Sequence, residues 1–217
     1  MMFNEYTSKR QRMIETQLLP RGIKDPRVIA AMRKVPRHLF LDEALWPEAY
    51  EDHPVPIGEK QTISQPFIVA IMTEALKLSG TEKILEIGTG SGYQAAVLAE
   101  LAEQVYSMER LPSIAKRARR ILDELKYANI VITIGDGTLG WKEHSPYDGI
   151  IITAASPYPP KTLLEQLKVG GRLIIPIGDE FTQDLTLYIR DSDKDYSKES
   201  YGGCRFVKLI GEQGWRE

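Results

Sequence analysis

From about residue 81 onwards, short apolar runs rich in β-branched residues alternate with longer segments whose apolar positions recur at helical spacing. Uninterrupted apolar runs are typical of strands that are covered on both faces. The alternation therefore predicts a doubly wound α/β sheet. The predicted strands are KILEIG, QVYSME, IVITIGD, DGIIITAA, GRLIIPIG, DLTLYIR and RFVKLI.

The spacing of these runs predicts how the strands pair. The first four are separated by stretches long enough for crossover helices, which parallel neighbours require. The last two are separated only by the polar segment DSDKDYSKESYGGC, so we expect an antiparallel ending on a mostly parallel sheet. The sheet core is expected at 81–190 and a C-terminal strand segment at 191–217.

Residues 1–80 carry helical patterns. Asp25-Pro26 precedes RVIAAM, and Pro66 precedes FIVAIMTEALKLS, so a helix is predicted at each place, and Gly80 is expected to end the second. The intervening stretch FLDEALWPEAYEDHPVPIG is rich in proline and aromatic residues and predicts an irregular lid or connector. We expect a single domain over 1–217, in which 1–80 forms the helical and lid segment.

The amino-acid composition and the net charge argue against several classes of protein. The 217 residues include 28 basic and 30 acidic side chains, for a net charge of −2, so charge does not favour a nucleic-acid or membrane partner. No signal peptide and no run of the roughly 18 apolar residues that span a membrane is evident, and we expect a soluble, cytoplasmic protein. Cys204 is the only cysteine, and the three histidines lack ligand spacing, so neither a disulfide nor a metal site is expected.

The strongest local signal is the segment LEIGTGSGYQAA, at which a predicted strand ends and a helix begins. Gly88, Gly90 and Gly92, with Thr89 among them, let the backbone approach a ligand closely. A dinucleotide-binding loop has its third glycine one position later, where this chain has Tyr93. The loop therefore favours a nucleoside cofactor without a pyrophosphate. The alternative is a tight turn that binds nothing.

Acidic residues follow at the ends of the next strands. Glu109, before Arg110, ends the second strand about twenty residues beyond the loop, where a carboxylate accepts hydrogen bonds from ribose hydroxyls. Asp136, before Gly137, follows the third strand and is expected to accept from an adenine amino group. Each acid also suits an ordinary strand end or turn. Glu86 is predicted either to offset the charge of a sulfonium cofactor or to be a surface residue at a strand end.

Two hydroxyl residues precede the helix predicted to begin at Pro66. In EKQTISQP, Thr62 and Ser64 flank the positive end of that helix. Either their side chains satisfy free backbone N–H groups, or an anion is bound at the mouth of the helix.

The order of these motifs resembles that of class I methyltransferases, which use S-adenosylmethionine. From about residue 23 onwards, the chain resembles the protein-L-isoaspartate O-methyltransferases in VPRHLF, AYEDHPVPIG, QTISQP, LEIGTGSGYQAA, IGDGTLGW, YDGIIITAA and GGRLIIPIG. The resemblance implies a Rossmann-like methyltransferase sheet, S-adenosylmethionine as cofactor and no metal. It implies methylation of the free α-carboxylate of L-isoaspartyl residues in damaged proteins and peptides, whose ester reverts through a succinimide. It also matches Ser64, with Thr62 beside it, to the active-site serine of the family.

The chain departs from that family at two positions. Lys60 stands where members often have Gly, and Lys208 where they often have Pro; both are expected to border the peptide groove. A substrate carboxylate is already ionised at neutral pH, so its methylation requires no general base. We therefore expect Ser64 and Thr62 to orient the carboxylate rather than to act as nucleophiles.

Two other functions remain open. A nucleic-acid methyltransferase would use the basic cluster KRARR at 116–120, but apolar residues occupy the other face of that helix, so we expect a solvated face. After the fourth predicted strand, amino-methylating enzymes carry Asp or Asn followed by Pro-Pro-Tyr, where this chain reads TAAS. Cys204 lacks the preceding proline of cytosine C5 enzymes. The second alternative is a non-catalytic binder of S-adenosylmethionine or of aged proteins. We expect a monomer that binds isoaspartyl proteins, with no nucleic-acid or membrane partner.

Overall fold

The computed structural model describes residues 2–216. The helices are α1 (Met2–Met13), α2 (Pro26–Lys34), α3 (Pro66–Ala75), α4 (Tyr93–Ala99), α5 (Pro112–Glu124) and α6 (Lys161–Glu165). The strands are β1 (Val55–Gly58), β2 (Gln61–Ile63), β3 (Lys83–Ile87), β4 (Gln104–Glu109), β5 (Ile130–Ile134), β6 (Tyr147–Ile152), β7 (Leu167–Gly178), β8 (Gln183–Arg190) and β9 (Tyr196–Cys204).

Seven strands form one sheet in the order β5-β4-β3-β6-β7-β8-β9, and β1 and β2 form a separate antiparallel hairpin. β3 pairs in parallel with β4 on one side and with β6 on the other, whereas β8 is antiparallel to both β7 and β9. The mostly parallel sheet with an antiparallel ending is thus confirmed. After β3 the chain adds β4 and β5 on one side of the sheet, and then β6 and β7 on the other side of β3. At such a reversal of strand order, the carboxyl ends of the two central strands, here β3 and β6, border a crevice in which open α/β folds bind ligands.

The seventh strand is not where the apolar pattern predicts it. RFVKLI, predicted as a strand, makes only isolated bridges, one of them between Lys208 and Ala155. β9 lies instead in the preceding polar segment and pairs with β8 from Tyr196 to Cys204. An edge strand that is exposed along most of its length does not need a continuous apolar run, so its sequence lacks that signal.

The predicted helix starts are confirmed, but one predicted helix end is wrong. Asp25 caps α2 by accepting a hydrogen bond from Arg27 N at 2.8 Å. α3 begins at Pro66 but ends at Ala75, five residues before Gly80. Lys77 then adopts a left-handed φ of 53°, which an α-helix does not continue. The apolar residues beyond the helix end are buried in the core, and their burial accounts for the longer apolar pattern.

The stretch predicted as an irregular lid or connector, 40–58, begins at the end of one short 3₁₀ turn, Arg37–Phe40, and contains a second, Glu43–Glu48. Its last four residues form β1, which pairs with β2, so this part is a strand and not irregular. The His38 ring stacks on that of Tyr6 at 4.4 Å, so aromatic packing holds the connector against α1. The hairpin that follows carries Thr62 towards the crevice of the sheet.

The basic cluster lies on the solvated side of α5, as predicted. The opposite face of the helix is buried through Ile114, Ala118, Ile121 and Leu122. Arg119 and Arg120 form ion pairs with acids one turn further along the helix, and Arg117 reaches Asp42 at 2.8 Å. Three of these cations thus have carboxylate partners within the chain. Among residues 2–216, no helix has the length and apolar character that crossing a bilayer requires.

Candidate active site

A cavity of about 230 Å³ lies at the carboxyl edge of the sheet, beside the ends of β3 and β6. Most of the residues predicted to bind a cofactor or substrate line this cavity: Thr62, Ser64, Gly88, Thr89, Gly90, Glu109, Arg110 and Gly137. Apolar side chains from α3, β4 and the C-terminal segment complete the wall, among them Met72, Met108 and Leu209. Three predicted residues, Glu86, Gly92 and Asp136, do not line it.

The glycine loop requires glycine at its first position. Gly88 has a left-handed φ of 94°, and a Cβ there would collide with Thr153 Oγ1. Thr153 donates to the carbonyl oxygens of Gly88 at 2.8 Å and of Ile87 at 3.0 Å. It therefore supports the loop from the end of β6 and also lines the cavity. Sequence reasoning missed Thr153, although its place after a strand adjacent to the loop is a usable signal.

Glu109 connects the end of β4 to the glycine loop. Its carboxylate is 8% exposed and accepts hydrogen bonds from Gly90 N at 2.9 Å and from Leu111 N at 3.0 Å, one on each oxygen. A carboxylate has about four lone-pair sites, so each oxygen retains capacity for a hydroxyl donor in the cavity. This geometry suits the predicted ribose contact.

Gly92 and Asp136 have structural partners outside the cavity. Gly92 begins α4 with φ of 88°, and a Cβ there would lie 3.3 Å from Ala118 Cβ, so its smallness lets α4 pack on α5. Asp136 accepts from Thr138 N at 2.9 Å and from Glu212 N at 2.8 Å. Asp136 thus holds its own turn and anchors the C-terminal segment, whereas its contact with an adenine amino group stays a prediction.

Glu86 is fully buried, so its interpretation as a surface residue is wrong. One carboxyl oxygen accepts from the hydroxyl of Ser107, which in turn lies 2.6 Å from Thr89 Oγ1 in the glycine loop. The other oxygen, Oε1, has no hydrogen-bond partner in the part of the chain that the structure describes. Burial raises the pKa of Glu86 to about 8. Offsetting a cofactor's positive charge requires the ionised form, so that role stays a prediction.

The hydroxyls of Thr62 and Ser64 are available to a ligand. No side chain caps α3, whose preceding residue is Gln65, so the prediction that these hydroxyls cap the helix is wrong. Within residues 2–216 neither hydroxyl has a hydrogen-bond partner, and Ser64 is half-buried. The remaining interpretation of the sequence, an anion held at the mouth of α3, is compatible with this arrangement.

A second cavity of about 580 Å³ adjoins the first. We call it the peptide-sized groove; its walls include Phe67, Ile68, Ile71, Leu185, Tyr201 and Phe206. The residues that line both cavities are Thr62, Ser64, Thr153, Val207 and Lys208. Lys60 lines only the first cavity. Two free hydroxyls thus stand where a compact cavity opens into a larger groove.

Comparison with known proteins connects this geometry to a family. A sequence model described as protein-L-isoaspartate (D-aspartate) O-methyltransferase matches residues 8–214. A protein-L-isoaspartate O-methyltransferase of Syntrophus aciditrophicus (strain SB) is 57% identical over 216 residues, 99% of each chain. Another, from Geobacter metallireducens, is 58% identical over 206 residues, 95% of each chain.

Solved structures show the same fold. A protein-L-isoaspartate O-methyltransferase structure is 31% identical and superposes with a TM-score of 0.85, covering 94% of this chain and 67% of the other. A Plasmodium falciparum structure in complex with S-adenosyl-L-homocysteine is 24% identical, with a TM-score of 0.80 over 94% of this chain and 98% of the other. The family match extends over residues 8–214, and the two relatives compared by sequence align over 99% and 95% of their length. The chain therefore belongs to the protein-L-isoaspartate (D-aspartate) O-methyltransferase family.

Proposed function

We propose that this protein transfers the methyl group of S-adenosylmethionine to the free α-carboxylate of L-isoaspartyl residues in damaged proteins and peptides. One observation carries the assignment of sites: the compact cavity and the peptide-sized groove meet at the hydroxyls of Thr62 and Ser64, which have no hydrogen-bond partner within residues 2–216. The compact cavity binds the cofactor and is called the cofactor cavity below, and the groove receives the isoaspartyl segment. The methyl ester then closes to a succinimide, through which the damaged linkage is repaired.

The residues of the compact cavity fit the cofactor. Gly88 and Gly90 expose backbone at the carboxyl edge of the sheet, and the carboxylate of Glu109 stands beside them with lone pairs for ribose hydroxyls. When bound, S-adenosylmethionine supplies a methyl group on a positively charged sulfur; its transfer to a carboxylate oxygen leaves the sulfur–carbon electron pair on sulfur and moves no proton. Among residues 2–216, no three His, Cys, Asp or Glu side chains form a site for a metal ion.

Ser64 and Thr62 orient the substrate carboxylate in this proposal. Their hydroxyls donate hydrogen bonds to it, and the N-terminus of α3 adds a favourable dipole. No histidine lines either cavity in the described part of the chain, which agrees with a reaction that needs no base. Apolar neighbours such as Ile63, Val69 and Met72 limit access of water to the cofactor cavity. Positioning and exclusion of water supply the acceleration.

Transfer of a labelled methyl group to two matched peptides tests the function. One peptide contains L-isoaspartate and the other ordinary L-aspartate. Because the isoaspartyl linkage leaves a free α-carboxylate where the ordinary chain has a peptide bond, we expect labelling of the first peptide only. Comparable labelling of both would refute the assignment. Binding of S-adenosylmethionine without any transfer would support the non-catalytic alternative, and a salt-sensitive shift of RNA or DNA would support the nucleic-acid alternative.

The state and surroundings of the enzyme remain predictions from the sequence. We propose a monomer in the cytoplasm without a nucleic-acid partner. The net charge of −2 supports the last point, because it gives no overall attraction to a polyanion. Sedimentation of the purified protein measures its oligomeric state, and cell fractionation its location.

A further inference from the structure

A salt bridge stands where the cofactor cavity meets the peptide-sized groove. Lys208 lines both cavities, whereas its partner Glu180 lines only the groove. Lys208 Nζ lies 2.6 Å from Glu180 Oε1, and the two side chains are 43% and 46% exposed. An ion pair this accessible to water contributes little to folding stability and exchanges partners readily. The arrangement therefore leaves the ammonium group available to a competing anion.

The backbone around Lys208 is held firmly, although its side chain is accessible. Ala155 N donates to Val207 O at 2.7 Å, and Leu209 N donates to Ala155 O at 2.7 Å. Ala155 is two residues beyond Thr153, which supports the glycine loop. Lys208 thus extends from a backbone position fixed against the end of β6, next to the junction of the two cavities.

Other positively charged side chains line only one of the two cavities. Arg21 and Arg205 line only the groove, and Lys60 and Arg110 only the cofactor cavity. Arg21 and Lys208 each have a carboxylate partner at 2.6 Å and an aromatic ring nearby, Phe67 for Arg21 and Trp215 for Lys208, so the two differ in position and not in pairing. Among residues 2–216, Lys208 is the one cation that lines both cavities. Lys208 therefore borders both cavities, as Thr62 and Ser64 do.

We infer that Lys208 determines substrate affinity by binding the α-carboxylate of the isoaspartyl residue in exchange for Glu180. This inference rests on the proposed function. Glu180 and the substrate carry the same carboxylate group, so the ammonium group is paired before and after the substrate enters. The carboxylate loses its negative charge as it becomes a methyl ester, and its attraction to Lys208 weakens along the reaction. Lys208 therefore favours binding of the charged substrate over the uncharged ester, and Glu180 regains the ammonium group when the ester leaves.

An interaction that is strongest before the reaction affects KM and does not raise kcat. We expect Lys208→Met to raise KM for an isoaspartyl peptide roughly three- to tenfold, the scale of a partly exposed charge pair, without lowering kcat. Glu180→Gln should lower KM, because the amide competes less well for the ammonium group. In the double variant, the Glu180→Gln change should have no further effect on KM. Lys208→Arg, which retains the charge, should stay near the wild-type KM.

Lys168→Met is the matched control. Lys168 Nζ also lies 2.6 Å from a carboxylate, that of Asp148, with 46% exposure of the lysine, but it lines neither cavity. Its KM should be unchanged. Circular dichroism and the Kd for S-adenosylmethionine, measured for each variant, should match the wild type.

The outcomes separate the two proposals. If the wild-type enzyme transfers no methyl group to the isoaspartyl peptide, the proposed function and the role of Lys208 both fail. If the wild type is active but Lys208→Met leaves KM unchanged, or Glu180→Gln has the same effect with and without Lys208, only the role of Lys208 fails. A rise in KM that is matched by an equal loss of cofactor affinity would also overturn it, because Lys208 would then act on the cofactor cavity.

Discussion

Replacing Glu86 with glutamine should remove a pH-dependent loss of stability. The side chain is fully buried, its Oε1 has no partner among the described residues, and the negative charge of Glu109 also acts on it. Burial is the main cause of a pKa raised from its ordinary value of 4.5 to about 8. Glutamine has nearly the same shape, carries no charge at any pH, and can still bond to Ser107.

The sign of the effect follows from proton binding. Between pH 4.5 and about 8, the folded protein keeps the Glu86 proton and the unfolded chain releases it, so raising the pH favours unfolding. One pKa unit corresponds to about 1.4 kcal/mol. The wild-type penalty is therefore roughly 1 to 2 kcal/mol at pH 5.5 and roughly 4 kcal/mol at pH 8. The stability gained by Glu86→Gln should thus grow by roughly 2 to 4 kcal/mol across this range.

Urea unfolding of the cofactor-free wild type and variant, at several pH values from 5.5 to 8, measures this difference. All other titrating groups are common to the two proteins, so their contributions cancel. Glu199→Gln, which removes an exposed carboxylate from the edge strand β9, is the control for the loss of one charge. If the Glu86→Gln difference is constant with pH, Glu86 is ionised in the folded protein throughout, and the argument from burial is refuted.

Variants at three further positions test the assigned roles. Glu109→Ala should weaken S-adenosylmethionine binding by roughly 1.5 to 3 kcal/mol, the scale of hydrogen bonds to a charged group; unchanged calorimetric affinity in a folded variant would exclude the ribose role. Ser64→Ala should leave cofactor affinity nearly intact and lower kcat/KM by roughly 10- to 1,000-fold; a more active Ser64→Cys variant, or methylated Ser64 detected by mass spectrometry, would contradict the orienting role. Asp136→Ala should lower the free energy of unfolding by about 2 kcal/mol, because its backbone donors lose their acceptor. If cofactor affinity stays normal in that variant, Asp136 acts in the turn alone.

The sequence by itself was sufficient to predict the mostly parallel sheet and the position of the glycine loop at the end of its first strand. Strands covered on both faces need continuous apolar runs, and the carboxyl ends of parallel strands meet at one edge. The predicted loop and Glu109 therefore lie on the same cavity. Proline at the first helical position likewise marked the starts of α2 and α3.

Only the tertiary structure decided which side chains are buried, paired or free. β9 lacks an apolar signal because it is an exposed edge strand, and Glu86 looks like a surface acid until neighbouring strands cover it. In the described part of the chain, the hydroxyl of Ser64 does not cap α3 and has no hydrogen-bond partner. Lys208 contacts Glu180 because its segment packs against Ala155. Local sequence patterns indicate which backbone conformation and how much burial a segment prefers. The hydrogen-bond or ion-pair partner of a side chain is often distant in sequence, so it depends on how the whole chain packs.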